Sequence, residues 1–208
     1  MKKTKKPSFN LEKNLLTKNI ELVFGMDEVG RGSFAGPLVA AAVAFEKEFP
    51  WFNELNDSKL LSALERERLS KLILGNGKCF TEIIDVALIN KIGIGKCNVL
   101  IFENLINNIL NKFENRKSTY FLIDGRNTFK SSNTKFIVKG DRESISIAAA
   151  SIIAKVFRDK MMKDLDNTYS GYDFSRNKGY GTKFHQEAIG KLGLCAIHRK
   201  SFNLNKFI

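Results

Sequence analysis

Two adjacent carboxylates, Asp27 and Glu28, follow an apolar run near the start of this 208-residue sequence. Single aspartates follow two later apolar runs, at Asp124 and at Asp141. Strands of one open sheet present their ends along a common edge, where ligands of such folds commonly bind. Four carboxylates at one edge repel one another unless a cation lies among them, and ligand sets made only of oxygen favour Mg²⁺ or Mn²⁺. We therefore identify these four acids as the candidate catalytic and metal-binding residues.

The chemistry that suits this pattern is cleavage of a phosphodiester. Two divalent ions about 4 Å apart can clamp the attacking and leaving oxygens of a phosphoryl displacement, so we predict two Mg²⁺ or Mn²⁺ ions per site. The single acids also have ordinary explanations: Asp124-Gly125 is a common turn signal, and Asp141 can cap the helix that follows it. The pair Asp27-Glu28 is harder to explain structurally, because two charges beside a buried run are costly without partners. Asp57 is interpreted as a solvated or helix-capping residue.

A glycine-rich turn, Gly30-Arg31-Gly32, comes one residue after the paired acids. Neighbouring residues of a strand point to opposite faces, so Asp27 and Glu28 are expected to reach one site only if the backbone bends there. Gly30 and Gly32 supply the conformational freedom for such a bend. A turn of this kind also lets a charged substrate backbone approach closely. Arg31 is either a contact to that substrate or simply the ion-pair partner of the two acids.

The positive charge of the chain is concentrated at its two ends. The formal net charge is +12, with six lysines against one acid in residues 1–18 and seven lysines and arginines against three acids in residues 166–208. A soluble protein with basic tails is the simplest explanation. The alternative is a polyanionic partner, most often nucleic acid. An acidic metal pocket in a basic protein favours this alternative, because the cations can bind the phosphate chain that the metals cleave.

Composition is typical of an ordinary folded protein. A charged fraction of 27% and a hydrophobic fraction of 43% lie in the range of globular domains. The apolar runs are too short to span a membrane, and no apolar segment follows the basic N-terminus as it does in a signal peptide. Three scattered cysteines and only two histidines indicate reduced thiols rather than disulfides or a zinc site. We therefore expect a cytoplasmic protein that binds no membrane.

Hydrophobic periodicity predicts an α/β fold with a mixed sheet and helices on its faces. The predicted strands cover residues 20–26, 38–45, 79–86, 119–123 and 135–138. The predicted helices begin at the capping box Ser62–Glu65, run from about residue 95 to residue 113, and cover residues 145–156, where apolar residues recur at steps of three and four.

The composition turns to Tyr, Gly, Asn and Lys past Asp166, which indicates a boundary. We therefore divide the chain into a loose basic N-terminal arm (1–18), a catalytic domain (19–165) and a small C-terminal helical segment that binds substrate (166–208). The arm is expected to end in a short helical continuation.

The candidate residues also belong to a series of short motifs that follow one another in a fixed order. The motifs are Met26–Gly32, Ala35–Leu38, Asn56–Lys59 with Leu61-Ser62, Ile123–Gly125, Lys139–Asp141, Ala148–Val156 with Arg158-Asp159, Asn177–Thr182 with His185, and His198–Phe202. The series resembles ribonuclease HII of the bacterial type, in the ribonuclease H-like superfamily, over almost the whole chain after the arm. The resemblance implies a ribonuclease H-like fold and an endonuclease that hydrolyses the RNA strand of RNA–DNA hybrids. It also implies cleavage 5′ of ribonucleotides embedded in duplex DNA, leaving 3′-hydroxyl and 5′-phosphate ends.

The resemblance also assigns roles to individual residues. The carboxylate tetrad of the family corresponds to the four acids named above. Gly30-Arg31-Gly32 is similar to the turn that reads the ribose 2′-hydroxyl, the group that distinguishes RNA from DNA. Tyr180 corresponds to a tyrosine that stacks on the sugar after the ribonucleotide, although a plain loop aromatic fits the local sequence equally well. Ser58 and Lys59 look like phosphate contacts, against the alternative of ordinary turn residues; many relatives have a second lysine where this chain has Leu60.

Other functions remain as alternatives. A ribonuclease HIII-like enzyme would cleave long hybrids but cut poorly at single ribonucleotides. Arg31 stands where that group tends to have lysine, and no long extra N-terminal domain is seen, so both features favour HII. A non-catalytic nucleic-acid-binding module is a second alternative, and a glycosidase built on the acid pair is a remote one. We expect a monomer, and we assign His185 and His198 structural or phosphate-side roles because metals already activate the water.

Overall fold

The computed structural model of the chain describes residues 6–16, 19–113, 118–126, 128–129, 131 and 133–208. Residues 1–5 and 17–18 of the predicted arm lie outside the described residues. The described part of the arm packs onto the body of the protein rather than being loose. Helix α1 (Asn10–Leu15) follows Phe9, which is buried in the core.

The buried carboxylate of Glu12 links α1 by hydrogen bonds to the helix that begins at Ile145. Glu12 is fully buried, and its Oε1 accepts hydrogen bonds from Ser144 Oγ (2.6 Å) and from the backbone N–H of Ser146 (2.8 Å). These groups lie at the N-terminus of helix α5 (Ile145–Thr168), where the exposed N–H groups favour a negative charge. The arm therefore contributes a capping group to α5.

A mixed five-stranded sheet forms the centre of the fold, as predicted. Its strands are β1 (Leu22–Val29), β2 (Leu38–Ala44), β3 (Lys78–Ile84), β4 (Thr119–Asp124) and β5 (Thr134–Ile137). The spatial order is β3-β2-β1-β4-β5. β2 runs antiparallel to both of its neighbours, whereas β1, β4 and β5 run parallel to one another. The C-terminal ends of these three strands therefore meet at one edge, where the candidate acids follow.

Helices cover both faces of the sheet. They are α2 (Ala63–Asn76), α3 (Val86–Ile92), α4 (Ile94–Lys112) and α5. Two further helices, α6 (Phe174–Asn177) and α7 (Lys183–Leu192), belong to the C-terminal segment and pack in a separate small core. β2 is buried along its whole length, and its residues alternate between two cores: Val39 and Ala41 pack with α2 and α5, whereas Ala40 and Ala42 pack with α4. None of the helices in the described part of the chain is long and apolar enough to cross a membrane.

Three elements have bounds that differ notably from the predictions. β1 begins at Leu22 and continues through both acids to Val29. The predicted strand 79–86 ends at Ile84, because Asp85 Oδ1 accepts the backbone N–H of Leu88 (2.8 Å) and caps the unpredicted helix α3. α5 continues past the predicted segment boundary to Thr168, so the C-terminal segment extends directly from the helix that covers the sheet.

The C-terminal segment packs on the loop between β1 and β2. Its small apolar core includes Phe174, Ile189 and Leu204 together with Ala35 from that loop. Ala35 also forms an antiparallel bridge with His198. The segment therefore supports the glycine-rich turn that follows the paired acids.

Two buried histidines of the C-terminal segment are hydrogen-bonded to each other. The backbone N–H of Cys195 donates to His198 Nδ1 (2.9 Å), so the His198 proton lies on Nε2 and is donated to His185 Nε2 (3.1 Å). His185 Nδ1–H in turn donates to the carbonyl of Tyr180 (2.9 Å). Burial, and then the neighbouring His185, lowers the pKa of His198 to about 4. Both histidines have the structural role that was one of the two predicted for them.

We predict that the fold loses stability below neutral pH because His198 becomes protonated only in the unfolded state. Unfolded histidine titrates near pH 6.5, whereas folded His198 stays neutral down to a pKa of about 4. The unfolded state therefore binds more protons in this window, and stability falls as the pH falls through it. Relative to a His198→Asn variant, the free energy of unfolding should drop by about 1 kcal/mol between about pH 7 and 5.5.

Urea denaturation of both proteins at matched pH measures this difference. Carboxyls with raised pKa values respond to pH with the opposite sign, and their contribution cancels in the comparison because both proteins contain them. An identical pH dependence in the two proteins contradicts the prediction.

Candidate active site

The strand pairing of β1 explains why both adjacent acids reach one site. β1 pairs with β2 as far as Val29, whereas its pairing with β4 stops at Met26. Asp27 and Glu28 therefore lie beyond the last residue pair with β4 and border an open edge. The predicted backbone bend is wrong, because β1 passes through both acids as a continuous strand.

The two acids nevertheless face opposite sides of the sheet, as strand alternation requires. Asp27 borders a cavity together with Lys155 of α5, whereas Glu28 also borders a second cavity together with Phe102 of α4. Glu28 borders both cavities because no β4 residue pairs with β1 at this level. Both acids therefore reach one site because the pairing between β1 and β4 ends just before them, and β1 does not need to bend.

The four candidate acids line one cavity of about 380 Å³, here termed the acidic pocket. Its lining residues are Asp27, Glu28, Val29, Ser58, Lys59, Asp124, Asp141, Ser151, Lys155 and Tyr180. All the predicted acids, both predicted phosphate contacts and the predicted stacking tyrosine are among them. Gly30, Arg31 and Gly32 lie outside this lining; Arg31 borders the second cavity, of about 500 Å³, which shares Glu28 and Asp124 with the acidic pocket.

Burial and the charges of neighbouring carboxylates raise the pKa of every acid in the pocket. For Asp27 the shift is large and comes first from burial, then from the charges of Glu28, Asp124 and Asp141. The pKa of Glu28 rises to about 6, chiefly through burial, while the Arg31 charge opposes the shift. Burial is also the largest cause of the raised pKa values of Asp124 and Asp141. Four ionised carboxylates are therefore costly here unless a cation compensates them.

Local hydrogen bonds hold the acids in place. Asp124, the last residue of β4, accepts the backbone N–H of Gly140 through Oδ1 (2.6 Å). Asp141 lies in the single 3₁₀ turn that begins at this glycine. The alternative role of Asp141 as a helix cap is wrong, because Ser144 caps α5 by accepting the backbone N–H of Ile147 (3.1 Å). One hydrogen bond thus joins the ends of β4 and β5 and sets their two acids side by side.

A fifth carboxylate, Asp57, lies beside the pocket. Its interpretation as a solvated or capping residue is wrong, because it is 5% exposed and its Oδ2 lies 3.0 Å from Arg142 Nη2. Burial alone would raise its pKa, but hydrogen bonds from the Lys59 N–H and from Arg142 lower it. Its charge in turn raises the pKa values of Asp124 and Asp141. The local signal was the Asx turn in which Asp57 accepts the N–H two residues later.

The two glycines of the turn differ in what the fold requires of them. Gly30 has φ +94°, and a Cβ there would lie 2.2 Å from Arg158 Nε. This position therefore excludes other residues both by conformation and by packing. Gly32 has no atom within 4 Å of where its Cβ would be. The protein itself therefore leaves open space beside Gly32.

Arg158 connects the loop between β1 and β2 to the segment that contains Tyr180. Its fully buried guanidinium donates to the carbonyls of Ala35 (3.1 Å), Pro37 (2.9 Å) and Lys178 (2.8 Å). Its Cζ lies 5.6 Å from the centre of the Tyr180 ring, in the range of a cation–π contact. The same side chain thus positions the β1–β2 loop and the residue predicted to stack on the sugar.

Arg199 holds the β1–β2 loop from the side of the C-terminal segment. It is fully buried and donates to the carbonyls of Arg31 (3.1 Å), Gly36 (2.7 and 2.9 Å) and Pro37 (3.0 Å). A buried guanidinium is tolerated when its donors are satisfied. Sequence reasoning assigned no role to Arg199 or Arg158, and the only signal was their place within the motifs.

The remaining predicted contacts differ in how accessible they are. Ser58 is buried and its hydroxyl is bonded to Ser151 Oγ (2.7 Å). Lys59 is exposed at the rim of the acidic pocket, and its charge lowers the pKa values of the neighbouring acids. Arg31 lies 4.0 Å from Glu28 and its side chain is 62% exposed, so this ion pair is weak. Lys59 and Arg31 therefore present their charges to solvent, whereas the Ser58 side chain is already partnered.

The donor set of the pocket fits a hard divalent cation. All four candidate ligands are carboxylates, which suit Mg²⁺ and Mn²⁺ rather than soft metals. Among the residues that the structure describes, no group of three or more His, Cys, Asp or Glu side chains forms a ready-made metal cluster. Mg²⁺ does not need such a cluster, because it usually keeps several waters and binds one or two carboxylates together with substrate phosphates.

Comparison with known proteins identifies the family. The family model described as Ribonuclease HII matches residues 24–205. A ribonuclease HII of Acholeplasma laidlawii is 45% identical over 192 residues, which cover 92% of each chain.

Solved structures share the fold. The ribonuclease HII from a PCNA complex of Archaeoglobus fulgidus has a TM-score of 0.73 at 22% identity, covering 88% of this chain and 95% of that one. A Bst ribonuclease HIII solved with Mn²⁺ has a TM-score of 0.74 at 18% identity, covering 93% of this chain and 71% of that one. The fold is therefore ribonuclease H-like, with a mixed sheet and flanking helices, and the chain belongs to the ribonuclease HII family of hydrolytic nucleases.

Proposed function

We propose that this chain is an endoribonuclease that hydrolyses the RNA strand of RNA–DNA hybrids. We further propose that it cleaves on the 5′ side of ribonucleotides embedded in duplex DNA, leaving 3′-hydroxyl and 5′-phosphate ends. The observation that carries the proposal is a pocket in which four electrostatically coupled carboxylates lie beside Lys59 and Tyr180. Family membership supports the hydrolytic chemistry.

We assign the binding of Mg²⁺ or Mn²⁺, two ions per site, to Asp27, Glu28, Asp124 and Asp141. Such ions, when bound, supply Lewis acidity and a water activated for attack on phosphorus. The Mn²⁺ complex of the Bst ribonuclease HIII supports this choice of cation. The raised pKa values of the four acids support it too, because an uncompensated cluster holds protons that a cation would displace.

The other pocket residues bind and orient the substrate. Lys59 and Lys155 border the pocket as cations, and they offset the charge of a phosphodiester that enters among four acids. The open space beside Gly32 admits a ribose close to the backbone, where N–H and C=O groups can bond the 2′-hydroxyl. Tyr180, held against Arg158, presents a ring on which a sugar can pack. Together these contacts fix one nucleotide with its phosphate at the acids.

Ribonuclease HIII-like specificity is the competing proposal, and the shared fold does not separate the two. A short DNA duplex that contains one ribonucleotide separates them, because an HIII-like enzyme cuts it poorly and still degrades a long hybrid. We predict efficient cleavage at the 5′ side of the single ribonucleotide, read from the length of the labelled products. Degradation of the long hybrid alone contradicts the proposed specificity.

We predict that Asp124→Asn reduces cleavage by on the order of a thousandfold, about 4 kcal/mol in the barrier, while duplex binding changes little. The asparagine Oδ1 can still accept the Gly140 N–H, so the junction of β4 and β5 stays intact. Asp85→Asn is the matched control, since it removes one charge from the cap of α3, where asparagine also caps well. Single-turnover cleavage and anisotropy binding measure both variants; an unchanged rate in Asp124→Asn rules out the assigned site.

We also predict that divalent ions stabilise the folded protein through the acidic pocket. A ligand at a hundredfold excess over its Kd adds about 2.7 kcal/mol, so Mn²⁺ should raise the Tm of the wild-type protein by several degrees. Chelator should reverse the shift, and Asp124→Asn should largely lose it while Asp85→Asn keeps it. Thermal denaturation without substrate provides the measurement. Equal shifts in both variants would show that the ions bind elsewhere.

We predict that Gly32→Ala spares stability and impairs cleavage. A Cβ at this position meets no protein atom within 4 Å, so the free energy of unfolding should stay within about 0.5 kcal/mol of wild type. The methyl group would occupy the space proposed for the ribose, so KM for the one-ribonucleotide duplex should rise at least about tenfold. Gly30→Ala is the contrasting variant, because its Cβ collides with Arg158 and should destabilise the fold. Normal cleavage by Gly32→Ala contradicts the proposed ribose position.

A further inference from the structure

A second charged surface, separate from the acidic pocket, lies between α2 and α5. It is a groove of about 540 Å³ whose cations are Arg66, Lys71, Lys160, Lys163 and Lys178. We term these five residues and the space between them the basic groove. Two acids also line it, Glu67 and Asp159, which leaves a surplus of three positive charges.

The positive charges of the basic groove are poorly neutralised. Asp159 is bound by Lys155 (2.6 Å), so its charge is already compensated. Within the described ranges, Lys71, Lys160 and Lys163 form no ion pair. The pKa of Lys178 is lowered by burial and by the like charges of Lys155 and Lys163, against the acids nearby. A polyanion bound here would relieve this crowding.

The basic groove lies close to the acidic pocket, as three pairs of residues indicate. Lys155 of the pocket and Asp159 of the groove lie one helical turn apart on α5 and are bonded to each other. Arg66 of the groove donates to the carbonyl of Ser58 (2.9 Å), which lines the pocket. Lys178 is two residues from Tyr180. A substrate strand that leaves the pocket past Tyr180 therefore passes close to the cations of the groove.

The chemistry of the groove favours a phosphate backbone over other polyanions. No aromatic side chain is found among the described residues that line it, so it offers no platform for stacking unpaired bases. Its apolar lining is limited to Ala63 and Val156, which is too little to anchor an acidic protein segment. Flexible lysines around an open groove suit a row of phosphates, which they contact as point charges.

We propose that the basic groove binds the phosphodiester backbone of the duplex that flanks the cleaved position. The assignment rests on the proposed function of the acidic pocket, since the flank belongs to the same substrate. The groove adds affinity without touching the reacting phosphate, and it extends the contact beyond the nucleotide that is read. Its contribution is independent of sequence and sensitive to salt.

The test compares two triple variants in binding to a labelled all-DNA duplex of about two helical turns, in chelator. Lys71, Lys160 and Lys163 are each changed to Gln in the groove variant. The control changes Lys91, Lys112 and Lys135, exposed residues of α3, α4 and β5 outside the groove, and loses the same charge. Each lost phosphate contact lowers the slope of log K against log salt by about 0.9. Between about 50 and 200 mM salt we expect the slope of the groove variant to fall by about 2 to 3, with little change in the control.

Three outcomes overturn the proposal: an unchanged slope in the groove variant, an equal change in the control, or preferential loss of binding to polyglutamate, which would reassign the groove to an acidic protein. Binding to all-DNA in chelator needs neither metal nor cleavage, so failure here is distinct from failure of the active site.

Cleavage of a duplex of about one helical turn with a central ribonucleotide gives a further check. Its kcat should stay within about twofold in the groove variant; a larger loss would place the lysines in the reaction instead. Unchanged Tm values of both variants exclude misfolding.

Discussion

Electrostatic repulsion among buried carboxylates is the constraint on which this structure depends. Asp27, Glu28, Asp124 and Asp141 come from three regions of the chain. The charges of Glu28, Asp124 and Asp141 all raise the pKa of Asp27, and the charge of Asp124 also raises the pKa values of Glu28 and Asp141. A fold that brings such groups together loses stability locally, so other interactions must compensate for it. The compensation comes from the strand pairing, from backbone hydrogen bonds such as Gly140 to Asp124, and from the cations at the rim. On the proposed function, divalent ions bound among the four acids would complete this compensation.

Two buried arginines solve a related problem in the loop beside the acids. The β1–β2 loop contains the glycine-rich turn. Its carbonyls accept hydrogen bonds from Arg158 of α5 and from Arg199 of the C-terminal segment. Loops usually lie at the surface because their backbone groups need partners. Here guanidinium groups supply those partners inside the protein. Because Arg158 also bonds the carbonyl of Lys178, the loop that contains Gly32 is connected to the segment that contains Tyr180.

The surface of the protein places two cavities of opposite charge close to each other. The acidic pocket concentrates negative charge where cations and a phosphodiester are proposed to meet, and the basic groove beside it carries a surplus of positive charge. If the proposed function holds, a nucleic acid is attracted by the net charge of +12 but is repelled by the pocket unless cations are bound there. On the proposed function, binding to the flank and reaction at the acids are separable, and only the latter requires metal.

The sequence by itself determined the local elements and the types of residue at the site. Apolar residues recur at every second position in a strand and at every third or fourth position in a helix, and they indicate which side of the element is buried. The mixed sheet, the capped helix α2 and the start of α5 were therefore predictable. The positions of Asp124 and Asp141, each of which follows a predicted strand, could be predicted for the same reason. Helix α3 was missed because its seven residues are too short to show a clear period.

Only the tertiary structure decided which charges are buried and what they contact. Asp57 meets Arg142 across 85 residues, and Arg158 meets Ala35 across 123; no local pattern records such partners. The convergence of Asp27 and Glu28 likewise depends on where β4 stops pairing with β1, which is a property of two strands rather than one. Local sequence determines which faces are apolar, whereas the environment of a charged group is set by residues distant in the chain.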